Sequence, residues 1–119
     1  MLALSSACRY YFYQGITDFR CGFDALSGIV RSRLGQDPTT GDIFIFVNRK
    51  RSQIKLLHFE GDGFALYHKR LESGNFEVPQ ATDGTKHTTI SSDELMLILK
   101  GINLKSVQRR KRFSMKKIA

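Results

Sequence analysis

Ile43-Phe44-Ile45-Phe46-Val47-Asn48-Arg49-Lys50-Arg51-Ser52-Gln53-Ile54-Lys55-Leu56-Leu57-His58-Phe59-Glu60-Gly61-Asp62-Gly63-Phe64-Ala65-Leu66-Tyr67-His68-Lys69-Arg70-Leu71 is the stretch that decides the fold. Ile43 to Val47 is an unbroken apolar run, too short for a helix and rich in β-prone residues, so it reads as a strand covered on both faces. Asn48 to Ser52 is a polar, basic connection, Ile54 to Glu60 a second strand, and Gly61-Asp62-Gly63 a tight reversal. Phe64 to Leu71 returns as a third strand. Ser73-Gly74-Asn75 turns again, and Phe76-Glu77-Val78 begins a short edge piece that Pro79 ends. The pattern predicts an antiparallel meander.

Upstream, Arg9-Tyr10-Tyr11-Phe12-Tyr13 reads as a first strand ended by Gly15. Phe23, Leu26, Val30 and Leu34 recur at helical steps, with Thr17 or Asp18 as cap and Gly35 as the left-handed stop. Asp37 to Asp42 is a turn by composition. Downstream, residues 80–89 read as loop. Ser91-Ser92-Asp93-Glu94 offers a capping box ahead of Leu95, Ile98 and Leu99, and Gly101 ends that helix. The expected fold is therefore α+β: an antiparallel sheet of about four strands, two helices on one face, and a basic C-terminal tail. The domain is expected over 1–104 and the tail over 105–119.

The 119 residues suit one domain, and 41% apolar residues with nine Phe supply a core. The longest apolar runs, 43–47 and 95–99, fall far short of the ~20 residues of a membrane helix. Met1 to Ala7 lacks the basic region of a secretory leader, and Cys8 and Cys21 read as free thiols, so a cytoplasmic location is expected.

The net charge of +8 is unevenly placed. Residues 1–99 carry eleven basic and eleven acidic side chains, whereas residues 100–119 carry eight basic and no acidic ones. A concentrated basic run attracts polyanions through their phosphates; a solvated terminus is the alternative. Candidate nucleic-acid contacts in it are Arg109, Arg110, Lys111, Arg112, Lys116 and Lys117. Arg49-Lys50-Arg51 at the hairpin tip, with Lys55, Lys69 and Arg70 on the adjoining strands, forms a second cationic focus. Arg pairs with phosphate bidentately and Lys as a point charge.

Enzymatic signatures are weak. His58, Glu60, Asp62 and His68 surround one hairpin, but a two-residue turn puts the two His on opposite sides of the sheet, and a three-residue loop leaves them diagonal. No nucleophile elbow or phosphate-binding glycine loop occurs. A two-metal nuclease assembled from Asp18, Asp24, Asp37, Asp42, Glu60 and Asp62 is the outlying alternative, because those acids sit where caps and turns want them. No metal, no cofactor and no catalysis are expected.

Asp18-Phe19-Arg20-Cys21-Gly22-Phe23-Asp24-Ala25-Leu26 resembles the Asp-Met-Arg-Lys-Gly-Phe-Asp-Gly-Leu opening of a small bacterial family. Asp37-Pro38, Gly41, Phe44, Phe46, Asn48 to Arg51, Lys55 to Leu57, Gly63-Phe64, Lys69 to Phe76 and Pro79 continue the match. The family is the TnpB-type, or Orf2-like, accessory protein of the insertion-sequence-sixty-six group of bacterial transposable elements. Cys21 stands where the family has Lys, and Phe59-Glu60 where it has Trp-Asp. The resemblance implies a non-catalytic part in transposition, a separate transposase that does the chemistry, and a second accessory protein as partner. It singles out Asp18, Arg20, Gly22, Phe23 and Asp24 as the family motif, with Arg20 either contacting DNA or a partner or pairing with Asp18 or Asp24. The expected mechanism is phosphate neutralisation by tail and tip while a neutral sheet surface docks a protein. The alternative is an adaptor of the transposition complex that binds no DNA.

Overall fold

The computed structural model describes residues 4–81 and 86–101. Five strands form one mixed sheet: β1 (Tyr10–Ile16), β2 (Ile43–Val47), β3 (Gln53–Phe59), β4 (Phe64–Arg70) and β5 (His87–Ile90). Helix α1 (Phe23–Arg33) joins β1 to β2, and α2 (Ser92–Leu99) follows β5. The strand order is β4-β3-β2-β1-β5. The meander β2-β3-β4 is antiparallel as the sequence predicts, and the turn at Gly61-Asp62 fixes His58 opposite Ala65.

Several expectations are corrected. The sheet is not wholly antiparallel, because β1 pairs with β2 in parallel, Tyr10 opposite Ile43 and Phe12 opposite Ile45. The α1 crossover makes that pairing possible, since parallel neighbours need a long connection. Among the described residues there are five strands where about four were expected: His87–Ile90, its first three residues inside the segment read as loop, pairs antiparallel with β1, Tyr10 opposite Ile90. Phe76-Glu77-Val78 forms no strand; Phe76 instead plugs the core. Finally, the helices lie on opposite faces. Tyr11, Tyr13, Phe44, Phe46 and Leu57 pack with Leu26, Val30 and Leu34 of α1. Tyr10, Phe12, Ile43, Ile45, Val47, Ile54 and Leu56 pack with Leu95, Ile98 and Leu99 of α2.

That arrangement follows from strand alternation. Successive side chains point to opposite faces, so an unbroken run such as Tyr10–Tyr13 or Ile43–Val47 presents apolar groups on both. Each face then needs a cover, and no neutral open face is left over the centre of the sheet. Each fully buried Leu or Val contributes about 1.5–3 kcal/mol relative to exposure. The burial of Leu26 and Val30 thus outweighs the weak start of α1. That start is Gly22, which makes no side-chain cap bond; neither Thr17 nor Asp18 caps the helix. Helix α2 has the predicted box: Ser91 Oγ accepts from Glu94 N at 3.1 Å, and Glu94 Oε1 accepts from Ser91 N at 3.2 Å. Gly35 and Gly101 end the two helices with φ of 62° and 73°. No helix among the described residues is long and apolar enough to cross a membrane.

Candidate nucleic-acid interface

Because β1 and β2 run in parallel, their carboxyl ends lie side by side, with Ile16 opposite Val47. Thr17 N donates to Val47 O at 3.1 Å, carrying the ladder one residue further. Two loops leave this end of the sheet: residues 17–22, leading to α1, and residues 48–52, leading to β3. Between them lies an open groove of about 930 Å³, whose lining includes Thr17, Asp18, Arg20, Asn48, Arg49 and Lys50. The crevice outside the carboxyl ends of parallel strands is where open α/β sheets place their ligand sites.

The 48–52 loop is built by its first residue. Asn48 Oδ1 accepts from Ser52 N at 2.9 Å and Gln53 N at 3.0 Å, and Asn48 Nδ2 donates to Ser52 Oγ at 3.1 Å. Arg51 N closes the turn on Asn48 O at 3.0 Å. The following turn braces it from outside: Phe76 N donates to Arg51 O at 2.6 Å, and Asn75 Nδ2 to Lys50 O at 2.8 Å. Arg49, Lys50 and Arg51 are all exposed, and none forms an ion pair among the described residues. Arg51 has φ of 56°, the one left-handed residue other than glycine among those described. That backbone costs an L residue about 1–2 kcal/mol.

The 17–22 loop is held by a lysine. Lys55 sits inside β3 between Ile54 and Leu56, is only 6% exposed, and faces α1. Its Nζ donates to Phe19 O and Cys21 O, each at 2.9 Å, and lies 5.0 Å from the centre of the Phe19 ring. His68, opposite Lys55 in β4, meets the other side of this cluster. Its Nε2 lies 2.8 Å from Gln53 Oε1, and its ring stands edge-on to Phe19 at 5.5 Å. Burial of the imidazole, then the charges of Lys55 and Arg70, push its pKa below the ordinary value.

Asp18 turns the loop back on itself, its Oδ1 accepting from Arg20 N at 2.9 Å. The Arg20 guanidinium forks onto the same carboxylate, Nη2 to Oδ2 at 2.6 Å and Nε to Oδ1 at 3.1 Å. Chiefly through that side-chain bond, the Asp18 pKa is lowered to about 2. The Arg20 side chain is nevertheless 92% exposed. Thr17 is 2% exposed, and its Oγ1 finds no hydrogen-bond partner among the described residues.

The sequence-selected residues therefore divide. Arg49, Lys50, Asp18 and Arg20 are brought together around the groove, with Arg51 beside them on the same turn. Gly22, Phe23 and Asp24 begin α1, the latter two exposed. Lys69 lies on the α2 face, its Nζ bonded to Leu99 O at 2.6 Å at the end of that helix. Arg70 lies on the other face and pairs with Glu72 at 3.2 Å. Arg109, Arg110, Lys111, Arg112, Lys116 and Lys117 lie outside the described residues. Two residues take parts other than those the sequence suggests: Thr17, a candidate helix cap, is buried at the end of β1, and Lys55, a candidate member of the cationic focus, is buried and bonded to the 17–22 loop. A lysine inside the apolar run Ile54-Lys55-Leu56-Leu57 is itself a signal, since buried ammonium groups need partners.

A family model described as IS66 Orf2 like protein matches residues 8–109 of this chain. Two curated relatives from Sinorhizobium fredii are similar to it. The uncharacterized protein y4hO is 35% identical over 108 residues, covering 91% of this chain and 92% of the relative. The uncharacterized protein y4jC is 37% identical over 93 residues, covering 78% of each. No solved structure matches.

Proposed function

This chain belongs to the IS66 Orf2-like family, and from that premise we propose that it is a non-catalytic accessory protein of transposition that works by binding DNA. Membership points to an accessory role in transposition. DNA is the partner that the Arg49-Lys50-Arg51 tip best fits. The supporting observation is how the tip is made: three consecutive exposed cations on a turn that Asn48, Asn75 and Phe76 fix, with Arg51 in a backbone conformation that glycine or asparagine would adopt more cheaply. A merely solvated tip requires neither the bracing nor an arginine in that conformation. Phosphate contacts supply affinity without sequence preference, and the basic segment 105–119 adds further charge of the same sign. The transposase and the second accessory protein of the element are the protein partners proposed alongside DNA.

The test compares the full chain with a variant carrying Arg49→Ala, Lys50→Ala and Arg51→Ala, using fluorescence anisotropy on a labelled duplex across a salt series. Each phosphate contact contributes a slope of about −0.9 in log K against log salt. The variant is expected to lose between two and three units of slope while unfolding at the same temperature as the parent. A full chain that binds no duplex at low salt but co-purifies with the transposase would overturn the DNA reading in favour of an adaptor.

A further inference from the structure

Building on the DNA reading, we propose that the groove between the 17–22 and 48–52 loops is a seat for one backbone phosphate, and that Asp18 occupies its arginine until the phosphate arrives. The wall is cationic: Arg20 on one loop faces Arg49 and Lys50 on the other across the same open space. Arg20 is the only one of the three with a carboxylate partner among the described residues, and it meets that partner with the two-nitrogen fork that suits a phosphate equally well. The pair is exposed to water, so exchanging one anion for another is cheap. The loop stays in place during the exchange, because its fold rests on other bonds: Lys55 Nζ on Phe19 O and Cys21 O, and Cys21 N on Asp18 O at 3.0 Å.

Two substitutions separate this seat from a generally cationic surface. Asp18→Asn keeps an oxygen to accept from Arg20 N but removes the competing charge. It is expected to tighten duplex binding about threefold to tenfold with the salt slope unchanged, because Arg20 meets the same phosphate in both proteins and only its competitor is lost. Arg20→Gln removes the guanidinium fork and leaves the backbone bonds of the loop in place. It is expected to weaken duplex binding about tenfold, the value of one hydrogen bond to a charged group, with the unfolding temperature little changed. Inorganic phosphate in competition, at ionic strength held constant with chloride, distinguishes the source of the anion. Displacement of duplex only at tens of millimolar phosphate supports a backbone site. Submillimolar phosphate binding unaffected by duplex would overturn it in favour of a free-phosphate site. Parental duplex affinity in both variants would overturn the seat while leaving DNA binding by the tip standing. Absence of duplex binding by the parent would instead remove the reading on which the seat depends.

Discussion

Arg51→Gly should make the protein more stable and a poorer DNA binder. The tip turn holds Arg51 at φ of 56°, where contact between Cβ and the carbonyl costs about 1–2 kcal/mol that glycine does not incur. Glycine in turn loses about 0.5–1 kcal/mol more conformational freedom on folding. Both backbone bonds of the residue, N to Asn48 O and O from Phe76 N, survive the change, and the side chain is exposed. At the middle of these ranges the net gain is about 0.75 kcal/mol, an upward shift of about 3 °C in a domain of this size. One cation leaves the tip, so the duplex salt slope should fall by about 0.9. Thermal unfolding by circular dichroism and anisotropy titration at four salt concentrations read the two effects on one preparation. A variant that unfolds lower than the parent would refute the strain argument. One that gains stability and keeps the parental salt slope would refute the claim that an arginine is held there for phosphate.

Lys55→Met leaves the carbonyls of Phe19 and Cys21 without their donor. Each bond from a charged donor is worth about 1.5–3 kcal/mol, part of which returns when the ammonium no longer has to be buried, so a net loss of about 1–3 kcal/mol is expected. Hydrogen exchange should show the Cys21 amide exposed while the β2 and β3 amides keep their protection. The Asp18 carboxyl should titrate near pH 2 by carbon-13 NMR and rise towards the ordinary carboxylate range in Arg20→Ala, which keeps the backbone bond of residue 20 but loses the guanidinium. Because its folded pKa lies below its unfolded one, the stability it lends is complete above about pH 5 and fades as pH falls towards 2. Ser91→Ala removes the acceptor for Glu94 N and should cost about 1 kcal/mol, measured by urea unfolding.

Local chemistry was legible in the sequence where it is self-contained. The capping box at Ser91 and Glu94, the stops at Gly35 and Gly101, and the reversal at Gly61-Asp62-Gly63 all depend on residues within a few positions of one another; the sequence allows two or three residues in that reversal, and the pairing of Phe59 with Phe64 fixes it at two. The parallel pairing of β1 and β2 was not, because the partners of Tyr10 and Phe12 are set by how α1 packs, not by any neighbour in sequence. His87-Thr88-Thr89-Ile90 carries a single buried side chain, so its alternation is too faint to announce a strand, and its partner lies at the other end of the chain. The opposite placement of the helices was implicit in Tyr10–Tyr13 and Ile43–Val47, since four or five apolar residues in a row need two covers. At the candidate site, the cations of the tip could be read directly, whereas the sequence offers Arg20 both Asp18 and Asp24 as partners and the structure pairs it with Asp18. The convergence of tip and pair could not be read, because it depends on the parallel register that sets the two loops side by side.

The most direct test is a nitrogen-15 NMR titration of the full chain with a short duplex in dilute salt. Shift changes are expected to concentrate in residues 17–22 and 48–52, at the carboxyl ends of β1 and β2. Spectra that do not change, or changes confined to the opposite end of the sheet around Asp42 and Gly61, would contradict it.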